Sequence, residues 1–236
     1  MADQIPGLKT ALITGGSRGL GEALCRLYLE KGFAVVSVSR NPSGVRGVEN
    51  CLADLSSPRE TASCAERIRE GHGRLDLLIN NAGVSPAALI MNADEKDYER
   101  TVQVNFNAAR ALTESLRGLL HGGCVVNIAS RTGVEGRAGL CAYAASKGLL
   151  IGYTAGLARE MRAEGIRVFA VNPGFMKTGM ALPKIVEKQT RESLLNAVST
   201  PEASARFVYW VSCLRGGSGR LFDFDSRIYK SWTNLS

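Results

Sequence analysis

The stretch Thr14-Gly15-Gly16-Ser17-Arg18-Gly19-Leu20-Gly21 constrains this chain most, because an apolar run, Thr10 to Thr14, leads into it and an amphipathic run, Leu20 to Lys31, leads out. A short apolar run ending in glycine reads as a buried parallel strand, while Leu20, Ala23, Leu24, Leu27 and Tyr28 recur at helical spacing. Glycines let backbone N–H groups approach a ligand closely, and the first turn of the following helix offers unpaired donors and a positive dipole end to an anion. The loop therefore reads as a phosphate cradle with Gly-x-x-x-Gly-x-Gly spacing. The same letters contain Gly15-x-Ser17-x-Gly19, which fits the nucleophile elbow of serine hydrolases. Two mechanisms compete for one loop.

The following residues favour the first. Ala34 to Ser39 is β-branched and continuous, so a strand–helix–strand unit of about thirty residues surrounds the loop, as a dinucleotide site requires. An NAD site normally carries an acid about 20 residues beyond the glycines to hold the ribose 2′-hydroxyl. Ser39-Arg40 stands there instead, and Arg40 with Arg18 offers two guanidinium groups to a 2′-phosphate, so NADP is the expected cofactor. The chain has two histidines, His72 and His121, which leaves few candidates for a Ser-His-Asp triad and makes a metal site unexpected.

A chain of 236 residues, 45% apolar, suits one domain with a substantial core. No run approaches the ~20 apolar residues that span a bilayer, and Met1 to Leu8 has an acid and no apolar stretch, so no membrane association and a cytoplasmic location are expected. The formal charge of +7 is spread along the chain without an aromatic-interleaved basic stripe, which argues against nucleic acid. Cys25, Cys51, Cys64, Cys124, Cys141 and Cys213 lie scattered without a Cys-x-x-Cys pair and read as buried thiols.

Further along, Asn41 to Gly47 is too short for a crossover helix before the strand Val48 to Ala53. Asp54 follows, placed to accept from an adenine amino group. Ser57-Pro58-Arg59-Glu60 predicts a helix start with a capping box, running to about Glu70. Leu75 to Ile79 is the fourth strand, ending in Asn80-Asn81-Ala82-Gly83, small residues and amides that suit close approach to a ribose or ring. A helix from about Asp94 through Leu120 carries Asn105 on its apolar face, where the amide must find partners. Gly123 to Ala129 is the fifth strand, with Ser130 at its carboxyl end, where ligands gather in open α/β sheets. After a Gly-rich loop, Gly133 to Gly139, Tyr143 and Lys147 share one face of a helix reaching Met161. Arg167 to Val171 leads into Asn172-Pro173-Gly174; Phe175 to Ala197 reads as a loop with a short helix, Thr200 starts the last long helix, and Gly219 to Phe224 is the seventh strand.

In this order and spacing, Thr14-Gly-x-x-x-Gly-x-Gly21, Asn80-Asn-Ala-Gly83, Ser130, Tyr143-x-x-x-Lys147 and Asn172-Pro-Gly174 resemble the short-chain dehydrogenase/reductase family over about residues 8 to 224. The resemblance implies an α/β fold: one doubly wound Rossmann domain over 1–236, seven mostly parallel strands with helices on both faces. A substrate-side segment would lie at about 175–198 and a C-terminal tail at 225–236. It implies NADP held by Gly15, Ser17, Arg18, Gly19, Leu20 and Gly21, by Ser39 and Arg40, by Asp54 and Leu55, and by Asn81, Ala82 and Gly83. Tyr143, Lys147, Pro173, Gly174 and Thr178 would complete that site, Thr178 on the nicotinamide carboxamide. It further implies that the enzyme is a homodimer or homotetramer, pairing through the helices of Asn105 and Tyr143.

Carbonyl reduction by hydride needs a proton for the developing alkoxide, and Tyr143 is the phenol in register. A free phenol titrates near ~10, so a neighbouring cation, Lys147, is expected to lower it. Ser130 would donate to the carbonyl oxygen, and the resemblance implies that Asn105 kinks its helix and holds a water relaying protons from Lys147. The expected substrate is a ketone or 3-oxoacyl compound with an acidic or extended tail, free or carrier-bound, met by Phe175, Met176, Met180, Leu182 and Ile185 with Lys177, Lys184, Lys188 and Arg191. His121 and Glu164 stand where carrier-docking relatives tend to have basic residues, with Arg117 and Arg162 nearby. A non-catalytic NADP sensor and the Ser17 hydrolase are the alternatives. Phe222-Asp-Phe-Asp225 departs from the Gly-Gly pair that many relatives carry after the last strand.

Overall fold

Along the first apolar run Ala11 and Ile13 point to one layer of helices and Leu12 to the other, and all three are fully buried, as expected of a parallel strand covered on both faces. The computed structural model describes residues 8–177 and 183–227. Its strands are β1 (Lys9–Thr14), β2 (Phe33–Ser39), β3 (Val48–Leu52), β4 (Leu77–Asn80), β5 (Cys124–Ile128), β6 (Arg167–Asn172) and β7 (Arg220–Asp223). They form one sheet in the order β3-β2-β1-β4-β5-β6-β7, every pairing parallel. The expected "mostly parallel" sheet is thus wholly parallel among the described residues.

The helices are α1 (Gly19–Glu30), α2 (Pro58–Gly71), α3 (Glu95–Val102), α4 (Ala108–Leu116), α5 (Thr132–Glu135), α6 (Cys141–Glu160), α7 (Pro183–Arg191) and α8 (Pro201–Cys213). Leu24 and Tyr28 of α1 pack with Val208 and Val211 of α8 on one face of the sheet. On the other, Cys64 and Ile68 of α2, Leu112 and Leu116 of α4 and Leu157 of α6 pack over Leu12, Leu78 and Val125. The chain leaves β1 toward β2 and β3, then returns to place β4 on the opposite side of β1. The direction of winding therefore reverses between β1 and β4, where open α/β sheets bind ligands.

Three expectations need correction. The helix predicted from Asp94 to Leu120 is broken: a π turn at Gln103–Asn107 separates α3 from α4, and a 3₁₀ turn at Arg117–Leu119 follows. The capping box is half made. The Glu60 N–H donates to Ser57 Oγ, but its carboxylate takes the Asp54 N–H at 2.8 Å, because the Ser57 N–H is already bonded to the Asp54 carbonyl. Finally, Cys141 and Cys213 are exposed and Cys51 is half-buried, so only Cys25, Cys64 and Cys124 are buried thiols; helix positions 141 and 213 face outward.

Candidate active site

The glycine loop meets β4 through one hydroxyl. Thr14, at the end of β1, accepts at Oγ1 from the N–H groups of Asn81 and Ala82, both 2.9 Å away, and Asn81 Nδ2 returns a bond to the Thr14 carbonyl. Gly15 lies at φ +73°, and a Cβ there would sit 3.0 Å from the Ala82 Cα. At Gly21 a Cβ would fall 1.9 Å from the Gly15 carbonyl oxygen. The backbone of loop and helix is packed so closely that glycine is needed at both places. Gly19, at φ +58°, faces open space.

A nucleotide phosphate fits this end of the molecule. The N-cap of α1, Arg18, makes no side-chain cap, as at α4, α5 and α6, whereas α2, α3 and α8 are capped by Ser57, Asp94 and Thr200. The first-turn N–H groups of α1 thus remain for an anion. Ser17 and Leu20 line the same turn, and the exposed Arg18 and Arg40 flank it, Arg40 directly after the buried Ser39. Asp54 accepts at Oδ1 from the N–H and hydroxyl of Ser56. Burial alone would raise its carboxyl, but those two bonds, with the charges of Arg40 and Arg100, hold it below the usual carboxylate range. Leu55 beside it is buried. A recess of about 590 Å³ lined by Ser56, Arg100, Gln103 and Asn107 adjoins this end, apart from the Ser130 and Tyr143 region.

At the carboxyl ends of β4 and β5 the remaining side chains converge. Behind them Asn80 donates to Asn127 Oδ1 at 2.8 Å and to Thr113, and Asn127 donates to Thr154, a buried amide ladder that ties α4, β4, β5 and α6 together. Asn105, in the π turn and 1% exposed, accepts from the Val84 N–H at 2.8 Å and donates to the Val84 carbonyl and to Ser146 Oγ. Ser146 in turn donates to the Tyr143 carbonyl. The π turn therefore anchors the segment after Gly83 and the start of α6 together. A Cβ at Gly83 would lie 3.3 Å from Asn105 Oδ1 and 3.6 Å from Lys147 Nζ, so the small residue keeps this corner open.

Tyr143 and Lys147 stand one turn apart on α6, the ammonium 5.9 Å from the phenol ring centroid. Lys147 Nζ donates to the Ile128 carbonyl at 2.6 Å, and its burial lowers its pKa from 10.5 to about 8. Ser130 Oγ accepts from the Thr132 N–H and faces the Tyr143 hydroxyl closely enough to lower that phenol's pKa against the effect of burial. The phenol is pushed up by burial, with Ser130 alone opposing the rise. The expected lowering by Lys147 is therefore not realised in this structure: the ammonium is turned to a backbone carbonyl, and its own charge is disfavoured by burial. At Gly133 a Cβ would meet the Lys147 carbonyl carbon at 2.7 Å, so glycine lets α5 rest against α6.

Pro173 is buried, and Gly174, at φ +75°, packs against the Phe224 carbonyl. Thr178, Met180 and Leu182 lie outside the described residues. Of the four basic residues expected to face substrate, all are exposed, and Lys188 and Arg191 of α7 stand near Glu192 (3.9 Å), just past its end, and Glu187 (3.6 Å), one turn before Arg191. A cavity of about 250 Å³ is lined by a different cation, Arg227. Arg227, over the Phe175 ring, chelates the Asp225 carboxylate, and Arg131, next to Ser130, is gripped by both oxygens of Glu135 and stands 3.8 Å from Asp225.

Sequence reasoning missed Ser146, Thr14 as a hydrogen-bond hub and the Arg131–Asp225–Arg227 cluster. Thr14 had a signal, a hydroxyl at a strand end beside glycine; the others join segments far apart in the chain and had none.

A wholly parallel doubly wound sheet with a glycine loop at its switch point defines a Rossmann-type dinucleotide-binding architecture. A model of the short chain dehydrogenase family matches residues 9–189, so the chain belongs to that family of oxidoreductases. It is 32% identical to the 3-oxoacyl-(acyl-carrier-protein) reductase FabG of Vibrio cholerae over 193 residues, 77% of this chain and 79% of that one. It is also 32% identical to carbonyl reductase family member 4 of Danio rerio over 209 residues, 84% and 88% of the two chains. Among solved structures, a blue fluorescent protein from a metagenomic library in complex with NADPH superposes with a TM-score of 0.85 at 28% identity, covering 93% of this chain and 97% of that one. A short chain dehydrogenase family protein from Francisella tularensis gives 0.86 at 23%, covering 93% and 98%, a likeness of fold. Among the described residues no helix is long and apolar enough to cross a membrane.

Proposed function

We propose that this protein is an NADPH-dependent reductase that converts a ketone to a secondary alcohol, with Tyr143 as general acid. The observation carrying this reading is the convergence of Tyr143, Lys147, Ser130 and Asn105 at the carboxyl ends of β4 and β5. NADPH supplies the hydride. Gly15, Ser17, Arg18, Gly19, Leu20 and Gly21 take its pyrophosphate, Ser39 and Arg40 its 2′-phosphate, Asp54 and Leu55 its adenine. Asn81, Ala82, Gly83, Lys147, Pro173, Gly174 and Thr178 complete the nicotinamide half, as one domain spanning the chain.

Ser130 orients the carbonyl oxygen against the Tyr143 hydroxyl. A phenol held above its ordinary value stays protonated at neutral pH, which suits a donor in the reductive direction; the developing alkoxide is basic enough to take its proton. Lys147 holds the ribose and helps return a proton to Tyr143, and Asn105 keeps α6 in register through Ser146.

The substrate is a small carbonyl compound. Arg117 binds Glu164 through both carboxylate oxygens, which reduces its pull on an acidic carrier protein. An acidic substrate group would meet Lys177 or Lys184 before Lys188 and Arg191. Exposed apolar residues support a homodimer or homotetramer: Ile90, Met91 and Tyr98 before and on α3, and Leu149 on α6. Ser17, which belongs to the uncapped turn, has no histidine described against it and serves the phosphate.

The test is NADPH oxidation with acetoacetyl thioesters, simple ketones and diketones. Tyr143→Phe should retain NADPH binding and lose about 10²–10⁴-fold in turnover. Unchanged turnover in that variant, or an esterase activity abolished by Ser17→Ala, would refute the assignment.

A further inference from the structure

Thirteen residues apart in sequence, two thiols meet outside the site described above. Cys51 lies next to last in β3, on the edge of the sheet, Cys64 lies in the first half of α2, and their sulfurs are 3.0 Å apart. The two differ in access: Cys51 is half-buried, Cys64 fully buried. Arg67, one turn beyond Cys64, reaches over the pair to donate to the Leu52 carbonyl at 2.9 Å. Hydrogen bonding from Cys64, with the Arg67 charge, lowers the Cys51 thiol against the effect of its burial, while Cys64 is pushed up. One sulfur is therefore disposed to be the thiolate and the other to supply the proton.

We infer that Cys51 and Cys64 form a redox-active dithiol that peroxide oxidises to a disulfide, covalently stapling the edge strand β3 to α2. The Cys51 thiolate attacks one oxygen of hydrogen peroxide, the O–O bond breaks, and a sulfenic acid and hydroxide result. The Cys64 sulfur then attacks the Cys51 sulfur, the S–O bond breaks, and the Cys64 proton leaves with the hydroxyl as water. Overall two thiols lose two electrons and two protons, and one peroxide becomes two waters. The closed loop contains Asp54 and the turn through Ser57, whose bonds to Ser56 and Glu60 already hold it in place. The cross-link restrains chiefly the unfolded chain, so the oxidised form resists heat.

The experiment treats the whole reduced protein with a few equivalents of hydrogen peroxide, counts thiols after denaturation and maps the peptides. Two of the six thiols should disappear, a peptide pair linked through Cys51 and Cys64 should appear, and dithiothreitol should reverse both. The melting temperature should rise by about 5–10 °C on oxidation. Cys64→Ser should stop at a Cys51 sulfenic acid that a cyclic diketone traps, and Cys51→Ser should leave Cys64 unmodified. Oxidation confined to the exposed Cys141 and Cys213, six surviving thiols, or a linked form that melts no higher than the reduced one overturns the inference.

Discussion

Lys147 is 3% exposed, and taking its ammonium out of water moves its pKa from 10.5 to about 8. Because the folded value is the lower one, the unfolded chain binds more protons between pH 8 and 10.5. The cost of burying the charge is therefore fully present below pH 8 and is relieved as pH rises through 10.5. At ~1.4 kcal/mol per pH unit the gap is worth roughly 3 kcal/mol at pH 7 and about 1 kcal/mol at pH 10. Lys147→Met removes the charge and the 2.6 Å bond to the Ile128 carbonyl together, and the lost bond offsets part of the gain by a pH-independent ~1 kcal/mol. The variant should hence melt above the parent at pH 7, with the difference shrinking by ~2 kcal/mol, about 4–8 °C, by pH 10. Tyr143, pushed above its ordinary value, titrates beyond this window. Differential scanning calorimetry of both cofactor-free proteins at intervals of pH measures the difference. A melting-temperature difference that stays constant from pH 7 to 10, or grows, would refute the reasoning that burial of a charged Lys147 strains this fold.

Arg40→Asp should reverse a preference for NADPH over NADH of roughly ten- to a hundredfold, the value of one charge-assisted bond to phosphate, read from dissociation constants by fluorescence titration. Equal constants for the two cofactors in the parent protein would count against the Arg40 assignment. Asn105→Ala leaves the Val84 N–H, the Val84 carbonyl and Ser146 without their shared partner; a loss of about 2–4 kcal/mol by urea unfolding is expected, and less than ~0.5 kcal/mol would mean that the π turn needs no anchor. Gly21→Ala puts a Cβ against the Gly15 carbonyl, so it should cost about 1–3 kcal/mol and weaken NADPH binding together, while Gly19→Ser, into open space, should cost stability only through its positive φ.

What the chain determined by itself is what depends on near neighbours. The glycine loop was legible because Gly15, Gly19 and Gly21 answer local demands of backbone angle and close approach, and the pair Tyr143 and Lys147 because a helix brings residues four apart together whatever surrounds it. The unbroken apolar run through Ala11, Leu12 and Ile13 announced a buried parallel strand, and the loop at 41–47 announced a crossing without a helix. Tertiary structure decided the rest. The break at Gln103–Asn107 depends on Asn105 finding Val84, 21 residues away, and Ser146, 41 residues away, and local helix periodicity carries no trace of either. Lys147 turned to Ile128 because burial set the carbonyl within reach, which changed the expected charge balance at Tyr143. The pairing of Cys51 with Cys64, and of Arg131 and Arg227 around Asp225, likewise rests on elements that only packing brings together, since contact between distant residues is set by the order of strands and helices and not by spacing along the chain.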